Sequence, residues 1–427
     1  MYECVGPDDW LESSVFDLAH WKNGLAFKNI DFSETGRPVI KIAELKNGVT
    51  SQTARTRADY DPSVFVKPGD MLFSWSGNPD TSIDVFRWEG EEGWLNQHIF
   101  KVTPGEGISD DFLFFLLRWL KPRFAEIARN KQTTGLGHVT VQDLKRMKVV
   151  VPDDDEQAAI VEIIGPIQEK IDLNRRMNTA LEVLAKAVFR DWFVDFGPTR
   201  AKMEGAAPYL APDIWALLPD RLDDEGMPEG WSTGTLGDVA MQCGESVRPD
   251  ALDPATPYIG LEHMPRRSIA LSEWAGAGKV SSGKLSFRRG DFLFGKLRPY
   301  FHKVGIAPVD GICSTDIVVL NAREQHGASF VLACISQDEF VAFTDRTSDG
   351  TKMPRTSWGR MERFRLCVPC EQTLRIFDEL ARPILDRIID NVHESRSLST
   401  TRDLLLPKLM SGEIRVKDAE NITREVT

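Results

Sequence analysis

The chain has 427 residues, 42 % hydrophobic and 27 % charged, which suits two or three globular domains with sizeable cores. It contains no run of about 18 apolar residues and no basic-then-apolar leader near Met1–Asp9, so neither a membrane span nor secretion is expected, and a cytoplasmic location is. The net charge of −12 argues against a uniformly basic nucleic-acid coat, yet residues 121–148 carry seven basic and two acidic side chains and residues 281–310 six and two, and phosphate contact depends on the local field.

In chain order, residues 1–155 read as one α+β globule. Short β-branched and aromatic runs at 70–75, 99–102 and 149–151, set between Gly and Pro turns, read as strands, and 111–129 reads as helix. Residues 156–200 read as one long helix. Residues 201–227 are proline-bearing and acidic, and read as a solvated linker, with a tether or a partner-binding strip as alternatives. Residues 228–368 read as a second α+β globule, with strands at 291–294 and 317–320 and a helix at 328–344. Residues 369–427 read as a second long helix and a tail.

The two globules are copies of one plan. Trp10 with Leu18-Ala19 matches Trp231 with Val239-Ala240, an offset of 231 − 10 = 221. Gly69-Asp70-Met71-Leu72-Phe73 matches Gly290-Asp291-Phe292-Leu293-Phe294 at the same offset. Val151-Pro152 and Val368-Pro369 close both copies, and the pairs Glu156-Gln157 and Glu371-Gln372 follow. Internal duplication of this length indicates two similar structural units.

The long helices repeat as well. Ile167, Ile171, Asn174, Asn178, Leu181, Ala185, Val188 and Trp192 step by four and three, a heptad seam. A shift of 217 gives Ile384, Ile388, Asn391, Ser395, Leu398, Arg402, Leu405 and Leu409. Pro166 and Pro383 stand at one register, suited to a helix start or a kink. The shared seam predicts that the helices pair antiparallel as a coiled coil, with Asn174 and Asn391 as polar positions that fix register and face each other. From Pro166 to Phe193 such a pair spans about 40 Å at about 1.5 Å per residue, comparable with one turn of B-DNA, about 34–36 Å.

Candidate nucleic-acid contacts lie in loops. Arg288, Arg289, Lys296, Arg298, Tyr300 and Lys303 interleave cations with an aromatic, and Arg and Lys bind phosphates or guanine. The matching loop of the first globule, with Trp75, Ser76 and Asn78, is uncharged, so the two copies are expected to read different sequences. Asn96, Gln97 and His98 precede a strand, and Asn and Gln suit adenine; their counterpart lies near Ser314-Thr315-Asp316. Lys131, Gln132 and Thr133 correspond to the loop with Arg346, Lys352 and Arg355. No phosphate-cradling, hydrolase, zinc-protease or amino-methylating motif is found, so no catalytic residue is assigned. The pair Cys367–Cys370 lacks a second ligand pair with zinc spacing, so no metal site is assigned; six scattered cysteines suit a reducing compartment.

The ordered, duplicated pieces resemble the specificity subunits of type I restriction-modification enzymes over nearly the whole length. The resemblance rests on Pro228-Glu229-Gly230-Trp231 with Leu236-Gly237-Asp238-Val239, on the two Gly-Asp strand signals, on Pro152…Glu156-Gln157 and Pro369…Glu371-Gln372, and on the closing Leu406-Pro407-Lys408-Leu409-Met410-Ser411-Gly412-Glu413-Ile414. It implies two target-recognition domains, 1–155 and 228–368, separated by an antiparallel coiled-coil pair of the family's conserved helices. The expected partners are double-stranded DNA, two methylating subunits carrying S-adenosylmethionine, and motor-nuclease subunits using ATP and Mg²⁺. The chain itself is expected to hold no cofactor and to catalyse nothing. Phe16 stands where the second copy has Gly237, and the 201–227 segment is longer than a minimal connection. The rival readings are a repeated-domain protein scaffold and a stand-alone nuclease or methyltransferase with built-in specificity.

Overall fold

A computed structural model of the chain describes residues 7, 9–28, 31–132, 135–248, 252–414 and 416. It divides into two compact units, one of residues 1–169 with 398–427, the other of residues 170–397.

In the first unit, a four-stranded antiparallel sheet runs in the order Ala19–Asn23, Ile99–Pro104, Met71–Ser74, Asp84–Arg87. All four residues of Met71–Ser74 are buried, because both faces of this strand are covered. On one side Phe73 meets Phe124 edge-on at 5.0 Å, from the helix Lys121–Asn130. On the other, Leu72 joins Ile40, Val64, Trp88, Trp94 and Ile99 in one apolar cluster. A second sheet orders Arg55–Thr56, Arg37–Ile40, Gly93–Leu95 and Phe65–Val66, with one parallel pairing, Val39 to Trp94. Leu11–Ser14 pairs with Lys148–Val151 and closes the unit.

The second unit repeats the strand order of both sheets. Its antiparallel sheet orders Ala240–Gln242, Ile317–Ala322, Phe292–Gly295, Val304–Ile306. Its other sheet again holds one parallel pairing, Tyr258 to Ile312, and gains the strand Ser246–Val247. Ser232–Thr235 pairs with Arg365–Val368 where the first unit has its closing pair. The repeated Gly-Asp is a turn device. Gly69 and Gly290 sit at φ 93° and 91°, a region that side chains disfavour, and Asp70 and Asp291 each accept the backbone N–H three residues back at 2.7 Å.

Two helices of 40 residues dominate, α1 (Asp154–Phe193) and α2 (Glu371–Met410). Both begin twelve residues before the prolines, so of the two roles expected for Pro166 and Pro383, a helix start or a kink, the start does not hold and both lie inside the helices. The earlier turns are recruited by packing: Ile160, Ile163 and Ile164 are buried, and each such side chain contributes roughly 1.5–3 kcal/mol. Asp153 accepts the Glu156 N–H at 2.9 Å and caps α1.

The seam is antiparallel. Within the second unit, Asn174 donates to Ser395 Oγ at 3.3 Å and to Glu394 at 2.8 Å, while Asn391 donates to Asn178 at 2.8 Å. Four residues forward on α1 are thus four residues back on α2. Ile171, Ile388 and Asn174 are almost wholly buried, Leu181 and Ile384 pack against the core cluster, and Leu398 is half-buried. Asn174 and Asn391 therefore do not bond to each other as expected. In an antiparallel pair of repeated helices, equivalent positions are exchanged across the pseudo-dyad, and each asparagine meets the residue one step along the seam. Within the first unit, Ile167 is buried, and Gln168 accepts Arg402 at 2.8 Å and Arg118 at 3.2 Å.

The 201–227 segment is not a bare solvated linker. It contributes to the helix Gly197–Met203 and forms the helix Pro212–Leu217, and Leu210, Ile214 and Leu218 pack on the second unit's core. Lys202 binds the Leu218 carbonyl at 2.6 Å and Asp220 at 2.7 Å. Residues 398–414 belong to the first unit. Gly412, at φ 70°, lies so near Pro7 that an added Cβ would fall 2.4 Å from its Cδ.

Candidate nucleic-acid interface

Each unit leaves its central strand into a loop held by one backbone frame. In the first, Trp75 N–H donates to the His98 carbonyl at 3.3 Å, the Trp75 carbonyl accepts Val139 N–H at 2.8 Å, and Ser76 pairs with His138. In the second, Lys296 N–H donates to the Asp316 carbonyl at 2.8 Å, the Lys296 carbonyl accepts Thr356 N–H at 3.0 Å, and Leu297 bridges Arg355. The frame thus aligns Trp75 with Lys296, His98 with Asp316 and His138 with Arg355.

The same frame carries opposite chemistry. In the first unit the half-buried Trp75 ring lies 5.6 Å from His98 and 5.9 Å from His138, and its Nε1 donates to Asn23 at 3.0 Å. Ser76 is buried, with its hydroxyl 2.9 Å from His138 Nδ1. Burial first, and the neighbouring His138 second, push His98 below the usual imidazole pKa, and the frame residues on this surface are aromatic, with no Lys, Arg, Asp or Glu among them. In the second unit Arg355 pairs with Asp316 at 2.6 Å. Lys296 beside them is pushed below its ordinary pKa by burial and by Arg355, with Asp316 opposing. This surface is ionic. Arg and Lys read guanine edges and phosphates, whereas neutral side chains suit other base edges.

The remaining candidates fall around these frames. Asn96 and Gln97 are half-buried beside His98, and Gln97 reaches its ring at 3.4 Å. Asn78 is exposed, but its oxygen accepts two backbone N–H groups in a turn. Gln132 is exposed, and Thr133 lies outside the described residues. Lys131 is engaged within the fold, its ammonium 2.5 and 2.6 Å from the two oxygens of Asp143. Lys121 and Arg129 likewise pair with Asp84 and Asp80. Much of the first unit's local positive charge is therefore balanced at home, which a charge count along the sequence does not see.

In the second unit Arg298 donates its backbone N–H to Pro354 at 2.7 Å, which puts it on the same edge as Arg355. Tyr300 stands 48 % exposed. Lys303 donates to the Leu261 carbonyl. Arg346 and Lys352 are exposed. Arg288 and Arg289 are exposed at the Gly-Asp turn, at the other end of the strand, where Arg289 Nη2 lies 4.0 Å from Asp390. His138, Asn23, Arg266 and Phe301 were missed by sequence reasoning. Shifting His138 by 217 onto Arg355 would have found the first; the others carry no local signal.

Among the described residues, no group of three or more His, Cys, Asp or Glu side chains is placed to hold a metal. None of the described helices is long and apolar enough to cross a membrane.

Residues 7–183 match the family model described as the type I restriction modification DNA specificity domain. The chain is 23 % identical to the type I restriction enzyme MjaIX specificity subunit of Methanocaldococcus jannaschii, over 96 % of this chain and 95 % of that protein. It is also 23 % identical to the HindI specificity subunit of Haemophilus influenzae, over 95 % and 100 %. The crystal structure of a type I restriction-modification S subunit from M. genitalium superposes with a TM-score of 0.52 at 14 % identity, covering 96 % of this chain and 99 % of that one. That likeness supports a shared fold of paired α+β domains and long helices.

Proposed function

We propose that this chain is a type I restriction-modification specificity subunit that directs its complex to a split DNA target, each α+β unit reading one half-site. The observation that carries the reading is the duplicated frame with exchanged side chains, Trp75, His98 and His138 in one unit against Lys296, Asp316 and Arg355 in the other. A scaffold duplicated to bind one protein twice has no need of an aromatic surface in one copy and a Lys-Asp-Arg one in the other. A reader of two different half-sites does. In this reading the paired seams of α1 and α2 set the unread spacer and help to dock two methylating subunits. S-adenosylmethionine sits on those subunits, ATP and Mg²⁺ on motor-nuclease subunits, and this chain supplies recognition without catalysis.

The test is methylated-base mapping of the source genome with and without this gene. The expected result is a motif of two short half-sites around a fixed gap that loses adenine methylation on deletion. An unchanged methylation pattern, together with no target preference by the purified complex of this chain with its methylating partner, would overturn the reading.

A further inference from the structure

Among the described residues, four that are not glycine adopt a left-handed φ, and three of them, Arg267 at 59°, Arg298 at 50° and His302 at 51°, meet at one turn. Such conformations cost free energy and persist where the surroundings enforce them. Here three separate segments do so. Arg267 N–H donates to the His302 carbonyl at 2.8 Å, and Arg298 N–H to Pro354 at 2.7 Å. The buried His302 ring sits 3.0 Å from the Ser336 carbonyl and 3.2 Å from Asp338.

The position of Arg298 is telling. The shift of 221 places it on Gly77, which adopts φ 128° without a side-chain penalty. One copy of the frame thus uses glycine where the other keeps arginine in a conformation that disfavours it. The retained side chain has its Nε buried without a hydrogen-bond partner in the fold. At the tip, Pro299 is buried and Tyr300 projects, its ring 4.8 Å from Phe301 and nearly edge-on at 68°. The Arg266 guanidinium lies over Phe301 at 4.0 Å and Arg298 at 5.9 Å. The result is a rigid aromatic tip set on two cations.

Resting on the specificity-subunit reading, we propose that the turn from Arg298 to His302 is a preformed DNA-insertion tip. Tyr300 stacks on a base of the half-site read by the second unit, while Arg298 and Arg266 engage the adjoining phosphates or base edge. Aromatic side chains stack on any base and wedge into base steps, and flanking guanidinium groups meet the charge of the backbone. A rigid tip is ordered before binding, which lowers the entropic cost of association. The first unit, with Gly77, Asn78 and Pro79 in the matching stretch, has no such tip, so the stacking is confined to one half-site.

The test uses the assembled complex with its methylating partner and duplexes that carry the mapped motif, with 2-aminopurine scanned through the second half-site. Wild type is expected to raise fluorescence at one position. Tyr300→Ala loses that signal and binds about tenfold more weakly, and Tyr300→Phe keeps it. Arg298→Gly, which copies the first unit, is expected to melt at the wild-type temperature or higher while losing preference for the second half-site. Unchanged fluorescence in Tyr300→Ala, or an unchanged methylated motif in Arg298→Gly, overturns the tip. A wild-type complex that prefers no target duplex overturns the specificity-subunit reading itself, and the tip with it.

Discussion

Asn391 donates its side-chain N–H to the Asn178 oxygen at 2.8 Å, and the two side chains are 1 % and 7 % exposed. A buried amide is neutral to stability only while it is paired, and an orphaned partner costs about 1–3 kcal/mol. Asn391→Leu alone should therefore destabilise the second unit by about that amount. Converting Asn178 and Asn391 together to leucine should recover much of the loss, with a coupling of about 0.5–3 kcal/mol. Denaturant melts of the two single variants and the double variant measure it. Strict additivity would mean that the pair does not form.

Glu182 is buried against Ser268, whose hydroxyl donates to it at 2.6 Å, and burial raises its pKa above the ordinary glutamate value. A carboxyl raised in the folded state contributes stability in full below its unfolded pKa, and loses that contribution as pH rises through the folded value. Glu182→Gln should accordingly raise the melting temperature at neutral pH, with a gain that shrinks toward about pH 4. Thermal melts across that range test it. A gain independent of pH would refute the titration.

Burial pushes the Asp143 carboxyl up, but bonds from Lys131 and Thr140 outweigh it and hold the pKa below the ordinary range. Lys131→Ala should thus lower the stability of the first unit by about 1 kcal/mol. That loss is present above about pH 4 and fades as pH falls through the depressed value. The methylated motif should stay the same. A shifted motif would show that Lys131 also reads DNA.

Gln157 is 1 % exposed. It accepts Ser109 N–H at 2.9 Å and donates to the Gly107 and Pro152 carbonyls at 2.9 and 3.0 Å. It thereby ties the start of α1 to the start of the helix Asp110–Trp119. Gln157→Leu strands these groups, and a loss of about 1–3 kcal/mol in the melting of the first unit is expected. Gln372, its counterpart by order, is exposed, and Gln372→Leu should be nearly silent.

Arg355→Ala should weaken methylation at the second half-site by about tenfold to a hundredfold, the size of one lost base contact, and His138→Ala should act on the first half-site alone. Methylation kinetics on duplexes altered in one half-site at a time separate the two. Equal effects on both half-sites would argue against separate reading.

The duplication, the repeated Gly-Asp signals, the strand and helix content and the heptad seam were all legible along the chain. Each rests on local chemistry or on a period, and neither needs a distant partner. Gly69 and Gly290 are required by the turn itself, and Ile167, Ile171, Ile384 and Ile388 by a helical face. What only the tertiary structure decided is which residues meet. Trp75, His98 and His138 lie far apart in sequence and converge because the sheet order places their strands side by side. Lys131 looked available and is held by Asp143, and Asn391 found Asn178 rather than its own twin. Periodicity specifies faces. Pairing, register and the partner of each charge follow from how those faces pack.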